Sequence, residues 1–379
     1  MKKKIALLGS TGSIGKSTLQ VVRHLSTDFA ISALAAHSNI DLIEAQAKEF
    51  NPSLIAIYDE TKALELKRRL PGFRIEAGME GLIAASTLAE VDFTMLAMSG
   101  TAGLEPALAA IEAGKQIGLA NKEILVAAGE LVSRRAREKG VTLLPVDSEH
   151  SALFQCLRGE KRADVRRLIL TASGGAFLNW SEEALKRVTL EEALAHPNWK
   201  MGPKVTIDSS TLMNKGLEMI EARWLFDIEP ARIDVVVHPQ SVIHSLVEYV
   251  DGSMLAQMCE PDMILPIQYA LTYPERRPGL LAPFDFNRFS TLTFSPPDKK
   301  KFTCLQLAID ALTEGKSYPC FLNGANEVLV ERFIRKEISW TDIGTKLEKL
   351  MSSHTPSNVL TLDSILSVDR HAREIAKQV

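Results

Sequence analysis

The chain has 379 residues, of which 46% are apolar and 24% are charged, and its formal net charge is −3. These values are ordinary for a soluble globular protein of two or three domains. A weakly acidic chain lacks the basic surface that nucleic acids and anionic membranes attract, so we expect neither of them as a partner.

The cysteines and the N-terminus bear on the compartment. The four cysteines, at positions 156, 259, 304 and 320, include no CxxC pair, which predicts free thiols in a reducing compartment. The basic N-terminus is similar to the start of a signal peptide, but its apolar run, Ile5–Leu8, is too short for one. No run approaches the ~18 apolar residues of a transmembrane helix. We therefore expect a cytoplasmic protein.

Residues 1–147 alternate short apolar runs with segments of helical periodicity. The apolar runs are Ile5–Leu8, Ile31–Ala36, Leu54–Ile57, Phe93–Met98, Gln116–Leu119 and Val141–Val146. Helical patterns such as Glu105–Ala113 and Ile124–Lys139 lie between most of them. Strands that alternate with helices are typical of βαβ units, so we expect a parallel sheet.

A glycine-rich motif, GSTGSIG at Gly9–Gly15, follows the first predicted strand and opens a helix. Rossmann-like domains place such a turn there and bind the pyrophosphate of a dinucleotide at the helix N-terminus. The spacing is GxxGxxG rather than GxGxxG. The alternative is a P-loop, because Gly15-Lys16-Ser17 matches the end of that motif, although its first glycine would fall on Ser10.

The end of the second predicted strand indicates which dinucleotide binds. NAD sites carry an acidic residue there, which binds the ribose 2′-hydroxyl. Here the strand is followed by His37, Ser38 and Asn39, and no acid occurs before Asp41. Neutral side chains at this point would tolerate a 2′-phosphate, so the sequence favours NADP(H).

Polar groups follow the fifth and sixth predicted strands. After the fifth, Lys122 stands between Asn121 and Glu123, and it could serve the nicotinamide or the substrate. The alternative is an ordinary first helical turn in which Glu123 suits the helix dipole.

After the sixth strand come Asp147, Ser148, Glu149 and His150. If the strand continues, Asp147 and Glu149 point the same way, and two such carboxylates repel unless a cation lies between them. Carboxylate oxygens suit Mg²⁺ or Mn²⁺. The alternative is a helix-capping aspartate beside a solvated glutamate.

Two segments of the middle region suit a phosphate group. Ser173 and two glycines follow the predicted strand Leu168–Thr171 and can form an anion-binding nest. Farther on, a loop bounded by proline and glycine, residues 197–203, leads into a strand-like piece, Val205–Ile207. Residues 208–210, Asp-Ser-Ser, then stand where a helix N-cap is expected.

The helix expected from Thr211 onward carries charges of both signs. Asn214 and Glu218 are spaced i,i+4, and Lys215 and Glu218 are spaced i,i+3, so all three can share one face. Serines at a helix N-terminus followed by a lysine predict a phosphate site, and Glu218 could be a third metal carboxylate. The alternative is an amphipathic surface helix with an ordinary serine cap.

The remaining chain is organised by turns and helices. His244–Val250 and Ser253–Met258 flank Asp251-Gly252, which predicts a type I′ hairpin. Helical periodicity covers Cys304–Leu312, Cys320–Arg335, Trp340–Leu350 and His371–Lys377, and the polar run 323–327 is expected to serve helix packing. We expect a dinucleotide domain at 1–147, an α+β domain at 148–273, a proline-rich linker at 274–301 and a helical domain at 302–379.

Seven motifs, in order, resemble the 1-deoxy-D-xylulose 5-phosphate reductoisomerase family over nearly the whole chain. They are GSTGSIG (9–15), LANKE (119–123), VDSEHSA (146–152), TASGGAF (171–177), HPNWKMGPKVTIDSSTLMNKGLE (196–218), VHPQS (237–241) and PIQYAL (266–271). The resemblance implies a homodimeric enzyme of the non-mevalonate isoprenoid pathway. Such an enzyme converts 1-deoxy-D-xylulose 5-phosphate to 2-C-methyl-D-erythritol 4-phosphate with NADPH and Mg²⁺ or Mn²⁺.

The same resemblance implies roles for individual residues. The metal ligands would be Asp147, Glu149 and Glu218, which act in catalysis together with Lys122. The substrate would contact Lys122, Ser148, Glu149, Ser173, His196, Trp199, Ser209, Asn214, Lys215 and Glu218, with His196 and Trp199 on a mobile lid at 196–203. NADPH would contact Ser10, Thr11, Gly12, Ser13, Ile14, Ser38, Asn39, Asn121, Glu123 and Gly202.

The expected chemistry follows from three carboxylates and a bound metal ion. The ion would polarise a substrate carbonyl and acidify a neighbouring hydroxyl, the skeleton would rearrange by retro-aldol cleavage and rejoining, and NADPH would reduce the new aldehyde. A plain NADPH-dependent dehydrogenase of another phosphorylated sugar would not require the three carboxylates. A non-catalytic NADPH sensor would leave the polar stretch 196–218 unexplained.

Overall fold

The computed structural model describes all residues from Met1 to Val379. Contacts between residues divide the chain into two compact units. The first unit contains Met1–Ile124, Val132–Ser151 and Met263–Ala282, and the second contains Leu125–Leu131, Ala152–Asp262 and Pro283–Val379. No helix in either unit combines the length and the hydropathy that a membrane-spanning segment requires.

The first unit is built on a parallel sheet flanked by helices. Its strands are β1 (Lys3–Leu8), β2 (Phe29–Ala36), β3 (Leu54–Ile57), β4 (Ile75–Ala77), β5 (Phe93–Leu96), β6 (Gln116–Leu119) and β7 (Leu143–Pro145). Its helices are α1 (Ser13–His24), α2 (Ile40–Phe50), α3 (Glu60–Arg69), α4 (Gly78–Ser86), α5 (Leu104–Glu112) and α12 (Ile264–Thr272), with α6 (Lys122–Lys139) and α7 (Ser148–Cys156) contributing in part.

The strand order β4-β3-β2-β1-β5-β6-β7 places β1 between β2 and β5. Every residue of β3 and β5 is buried, as expected when helices cover both faces of a parallel sheet. After β1 the chain adds β2, β3 and β4 on one side of it, and then adds β5, β6 and β7 on the other side. Doubly wound sheets bind ligands where the strand order reverses in this way. All six strands predicted from apolar runs are present. The strand that was not predicted, β4, has the sequence Ile-Glu-Ala with only Ile75 buried, so it forms no apolar run.

The second unit combines a four-stranded sheet with helices. Its strands, β8 (Val165–Ala172), β9 (Ile233–Val237), β10 (Ile243–Tyr249) and β11 (Met254–Met258), are ordered β11-β10-β8-β9. Its helices are α8 (Glu182–Leu185), α9 (Leu190–Ala193), α10 (Pro203–Ser210), α11 (Met213–Phe226), α13 (Thr303–Glu314), α14 (Tyr318–Ile334), α15 (Trp340–Ser353) and α16 (Leu362–Ala376). β8 and β9 are parallel and the other pairs are antiparallel. The predicted fold class is confirmed: a Rossmann-like parallel sheet, an α+β region and a helical C-terminal region.

The hairpin between β10 and β11 is present, but the predicted type I′ turn is wrong. A type I′ turn requires positive φ at both central residues, and here Gly252 alone, at +86°, is positive. The amide of Gly252 donates to the Tyr249 carbonyl (3.0 Å) and that of Tyr249 to the Ser253 carbonyl (2.9 Å). The loop therefore has three residues, and Asp251 caps it by accepting the Ser253 amide at 2.9 Å.

The two units differ from the predicted domains in residues 125–131, 148–151 and 263–301. α12 packs with α1 in the first unit, which includes residues 263–282. Residues 283–301, in the predicted linker, belong to the second unit, and Ser295 and Val237 exchange backbone hydrogen bonds of 2.8 and 3.0 Å. The C-terminal helices also share one apolar core with α11 and β8. Prolines make irregular backbone here, so these contacts leave no periodic pattern.

The contact between α11 and α13 generates a prediction about stability. A Cβ at Gly216 would lie 2.3 Å from the Cβ of Ala308. Although alanine is the better helix former, Gly216→Ala should lower the free energy of unfolding by about 1–2 kcal/mol, because overpacking outweighs helix propensity. Chemical denaturation measures this. The double variant Gly216→Ala/Ala308→Gly should recover most of the loss, whereas an additive double variant would contradict the packing argument.

Candidate active site

The glycine-rich turn is shaped by close backbone contacts in the first unit. A Cβ at Gly9, whose φ is +91°, would lie 2.3 Å from the Ala97 carbonyl oxygen. A Cβ at Gly15 would lie equally close, 2.3 Å, to the Gly9 carbonyl oxygen. Both positions therefore require glycine. Gly12 closes the turn by donating its amide to that oxygen at 3.0 Å.

The turn ends at a helix that receives no side-chain cap. α1 begins at Ser13, and its N-cap residue Gly12 offers no side-chain acceptor, so the first amides of the helix remain for a ligand. The hydroxyl of Ser10 is buried and has no hydrogen-bond partner. An anionic group such as a pyrophosphate fits these amides and the hydroxyl. The first glycine of a P-loop would fall on Ser10, so the turn fits the dinucleotide motif better.

The predicted NADPH residues after β2 and β6 also have structural roles. Asn39 caps α2, because its Oδ1 accepts the Leu42 amide at 3.1 Å. Asn121 caps α6 in the same way through the Ile124 amide (3.0 Å), and its Nδ2 donates to the carbonyls of Met98 (2.5 Å) and Gly100 (2.9 Å). The side chain of Asn121 therefore connects the loops after β5 and β6.

Lys122 and Asp147 form a largely buried ion pair in the first unit. Lys122 is the first residue of α6, and its Nζ lies 2.5 Å from Oδ2 of Asp147. Their side chains are 9% and 15% exposed, so this is not the solvated pair that a surface helix would carry. Glu123, next to Lys122, is buried as well.

The strand does not continue through Asp147 and Glu149, so the condition for their side chains to point the same way along a strand is not met. β7 ends at Pro145 and α7 begins at Ser148, so Asp147 directly precedes a helix, as the alternative interpretation had it. Its Oδ1 accepts the Ser148 amide at 3.0 Å, and the Ser148 hydroxyl donates to Glu149 Oε2 at 2.5 Å. His150, for which the sequence predicted no role, is fully buried with Nδ1 3.9 Å from Asp147 Oδ2.

Ser173 and His196 form a hydrogen-bonded pair in the second unit. The hydroxyl of Ser173 lies 3.0 Å from Nε2 of His196 and accepts the Gly175 amide at 3.2 Å. Gly174 and Gly175 have φ of +87° and +69°, and a Cβ at Gly175 would lie 2.4 Å from the Ser209 carbonyl oxygen. The two predicted phosphate segments therefore meet at Gly175 and Ser209.

The tautomer of His196 follows from its contacts. Nδ1 accepts the backbone amides of Asn198 (3.2 Å) and Trp199 (3.0 Å), and it can accept them only when unprotonated. Burial lowers the pKa of His196 to about 4, so the ring is neutral near pH 7. Its single proton is then on Nε2 and is donated to Ser173.

The predicted strand at 205–207 and the predicted N-cap at 208–210 are both wrong. Residues 203–210 form the helix α10, which Pro203 begins, and a proline at the first helical position is favourable. Asp208, Ser209 and Ser210 form its last turn. Leu212, with φ of 58°, separates α10 from α11.

The predicted shared face on α11 is confirmed. Asn214 Nδ2 donates to Glu218 Oε1 at 2.5 Å, and Lys215 Nζ pairs with Glu218 Oε2. Glu218 is 1% exposed and Lys215 is 4% exposed. Almost every residue of α11 between Met213 and Ala222 is buried, which excludes the amphipathic surface helix.

The predicted lid segment 196–203 lies against residues 238–244 of the same unit. Asn198 Nδ2 donates to the Pro239 carbonyl (2.5 Å) and to the Ser241 hydroxyl (3.1 Å). The rings of Trp199 and His244 meet edge to face at 6.0 Å. Gly202 is the N-cap residue of α10, and a Cβ there would meet nothing within 4 Å.

Comparison with known proteins assigns the chain to a family. Three family models match it: 1-deoxy-D-xylulose 5-phosphate reductoisomerase over residues 5–129, the reductoisomerase C-terminal domain over 143–226, and the DXP reductoisomerase C-terminal domain over 258–375. The reductoisomerase of Protochlamydia amoebophila is 60% identical over 99% of this chain and 97% of its own length. That of Geobacter metallireducens is 51% identical over 100% and 99%.

Solved structures agree. A reductoisomerase crystallised with NADPH, fosmidomycin and magnesium is 42% identical, has a TM-score of 0.95, and is matched over 99% of this chain and 98% of its own. The enzyme from Zymomonas mobilis in complex with NADPH is 42% identical, with a TM-score of 0.94 and coverage of 100% and 99%. The chain belongs to the 1-deoxy-D-xylulose 5-phosphate reductoisomerase family.

Proposed function

We propose that this chain converts 1-deoxy-D-xylulose 5-phosphate to 2-C-methyl-D-erythritol 4-phosphate, with NADPH and Mg²⁺ or Mn²⁺. The observation that carries this proposal is the whole-length match to a reductoisomerase in complex with NADPH, fosmidomycin and magnesium. The uncapped glycine turn and the buried carboxylates described above suit the same cofactors. Neither a plain dehydrogenase nor a sensor accounts for carboxylates buried beside lysines.

The metal ligands in this proposal are Asp147, Glu149 and Glu218. Carboxylate oxygens are the ligands that Mg²⁺ and Mn²⁺ prefer. Asp147 pairs with the ammonium of Lys122, and Glu218 pairs with that of Lys215. Buried carboxylates require positive charge nearby, and a bound divalent ion would supply it in place of these ammonium groups. Lys122 and Lys215 would then be released toward the substrate.

The phosphate and substrate contacts in this proposal are Ser173, Ser209, Asn214 and Lys215, along with Ser148. Ser173 is prepared as a donor, because its oxygen accepts from His196 Nε2 and from the Gly175 amide. Both of its acceptor positions are occupied, so its own proton is left for a phosphate oxygen. Charge-assisted hydrogen bonds of this kind are strong.

The lid at 196–203 closes over the substrate through His196 and Trp199. His196 joins the lid to the phosphate site, because one ring nitrogen holds the lid backbone and the other holds Ser173. An indole on such a lid excludes water from the reacting carbons. Binding energy from the remote phosphate can therefore stabilise the closed lid.

The NADPH contacts proposed are Ser10, Thr11, Gly12, Ser13, Ile14, Ser38, Asn39, Asn121, Glu123 and Gly202. When bound, NADPH supplies the hydride and the divalent ion polarises the carbonyl that undergoes rearrangement. The chain's own contribution is to orient these groups. The ammonium of Lys122 can stabilise negative charge on a substrate oxygen next to Asp147.

Assembly and location complete the proposal. β11 is an edge strand of its sheet, and Met254 and Leu255 on it are 48% and 44% exposed. An apolar edge strand is a template for another chain, so we place the homodimer contact there. The four cysteines are free, which supports the reducing cytoplasm as the location.

Metal dependence is the first test. NADPH consumption with 1-deoxy-D-xylulose 5-phosphate should stop with EDTA and return with Mg²⁺ or Mn²⁺. Glu218→Gln should lower kcat/KM by about 100-fold or more while NADPH affinity, measured by fluorescence titration, stays unchanged. Glu327→Gln removes a carboxylate bonded to Asn323 and Arg373 instead, and it should keep its metal dependence. Equal loss of NADPH affinity in Glu218→Gln would contradict the assigned role.

The tautomer of His196 gives a pH prediction. Nuclear magnetic resonance of labelled histidine should show His196 neutral, with its proton on Nε2, from pH 8 down to about 5, given its pKa of about 4. The unfolded chain binds this proton already near pH 6.5, so the histidine lowers stability as pH falls from about 6.5 to about 4. His196→Gln identifies the signal. A titration midpoint near 6.5, or a proton on Nδ1, would refute the assignment.

The oligomer is tested by mass. The wild-type protein should have, by sedimentation, a mass twice that of the 41.7 kDa chain. Leu255→Lys should shift the protein toward the monomer, because a lysine on an edge strand opposes pairing with another strand. Leu64→Lys, at a leucine 59% exposed on α3, is the matched control and should stay dimeric. A dimeric Leu255→Lys variant would exclude this edge as the contact.

A further inference from the structure

The last turn of α10 is held from behind by the C-terminal helices. Ser209, assigned to the phosphate, lies between Asp208 and Ser210, which are 1% and 0% exposed. Asp208 Oδ1 accepts from Nδ2 of Asn326, on α14, at 2.9 Å. The Ser210 hydroxyl accepts from Nε1 of Trp340, the first residue of α15, at 2.8 Å. Both neighbours of Ser209 are therefore fixed by buried hydrogen bonds.

Trp340 also contacts the other half of the phosphate site. Its ring meets that of Phe177 edge to face, with centroids 5.3 Å apart. Phe177 is fully buried and follows Ser173 by four residues, at the end of the glycine turn. Because Gly175 packs against the Ser209 carbonyl, one indole supports both segments where they meet.

The remaining contacts of this turn strengthen the same arrangement. Asp208 Oδ2 pairs with Lys204 at 2.9 Å, so its carboxylate connects the start of α10 with α14. The Ser210 hydroxyl donates its own hydrogen bond to the Ile207 carbonyl at 2.7 Å. Asn326 and Ser210 are both completely buried, so water does not reach the bond from Asn326 to Asp208 or the bond from Trp340 to Ser210. Buried hydrogen bonds of this kind fix geometry, since breaking one leaves an unsatisfied group.

We propose that Trp340 and Asn326 are positioning residues for the phosphate site. Trp340 acts on Ser209 through Ser210, and Asn326 acts on it through Asp208. Trp340 also acts on the turn that carries Ser173, through Phe177. This inference rests on the proposed function, because it takes Ser173 and Ser209 as phosphate contacts. Neither residue touches the substrate in this proposal. Misplacement by about 1 Å is enough to weaken a site that depends on oriented donors.

The test compares two substrates that differ only in the phosphate. Trp340→Phe removes the Nε1 donor and keeps a ring, and Asn326→Leu removes the amide and keeps the branched shape. Each should lower kcat/KM for the phosphorylated substrate about tenfold, chiefly through KM, and leave kcat/KM for the phosphate-free ketose unchanged. A merely structural role would lower both alike, and that outcome, or no change with either substrate, would overturn the proposal.

Tyr249→Phe is the matched control. It removes another buried hydrogen bond of the second unit, from Tyr249 to the Cys156 carbonyl at 2.8 Å. It should leave unchanged the ratio of kcat/KM for the phosphorylated substrate to kcat/KM for the phosphate-free ketose. A Tyr249→Phe variant with the same altered ratio would also overturn the proposal, because the effect would then not be specific to α10.

Two further measurements separate this inference from the proposed function. Ser209→Ala should by itself lower the ratio of kcat/KM between the phosphorylated and the phosphate-free substrate. If the ratio stays the same, Ser209 is not a phosphate contact, and the inference fails together with that assignment. Inorganic phosphate should raise the melting temperature of the wild type and Tyr249→Phe more than that of Trp340→Phe and Asn326→Leu. The rise in melting temperature can be measured without turnover. If the wild type is inactive, the proposed reaction is refuted. If phosphate still stabilises that wild type but stabilises neither Trp340→Phe nor Asn326→Leu, the positioning role is supported.

Discussion

Burial of charged groups beside groups of opposite charge is the constraint on which the site depends. Glu218 and Lys215 are both almost completely buried on α11, and neither could be ionised there without the other or an equivalent ion. Removing two charges from water costs several kcal/mol per ion, and their attraction often only balances that cost. Such a pair contributes little to stability relative to apolar residues. In the proposed function a divalent ion would take the place of the Lys215 ammonium beside Glu218, which gives the pair a role other than stability.

The same constraint shows how the sequence was informative and where it was not. The spacing of Asn214, Lys215 and Glu218 defines a helix face whatever the surroundings are, so their contact could be predicted. The strand at 205–207 could not be excluded locally, because Val205, Thr206 and Ile207 have high β-propensity. Pro203 as a first helical residue and the packing of Ile207 in the core overrode that propensity. Likewise, Asp147 and Glu149 were recognised by their residue types, although the strand expected to carry them ends two residues earlier.

The parts of the fold with regular patterns were predicted well. Apolar runs identify β1, β2, β3, β5, β6 and β7, because buried parallel strands contain little else. The glycine turn was identified from its glycines and its position after the first strand, and the structure supplies the reason for Gly9, whose backbone approaches Ala97 too closely for any side chain. Contacts between residues far apart in sequence had no such signal. Asn326 and Asp208 are 118 residues apart, and Trp340 and Ser210 are 130 residues apart. A polar run such as 323–327 indicated helix packing, but not what it packs against.

The segment from Pro203 to Glu218 therefore has residues of two kinds. Ser209, Asn214, Lys215 and Glu218 carry the groups assigned to the ligands, whereas Asp208 and Ser210 are held by the C-terminal helices and Leu212 separates α10 from α11. Leu212 adopts a left-handed conformation, which is unfavourable for a branched side chain, and its burial in the core compensates for that cost. The bend at this residue separates the donors on α10 from the face of α11. Ser209 therefore lies at the end of α10 and Glu218 lies on α11, on either side of the bend at Leu212.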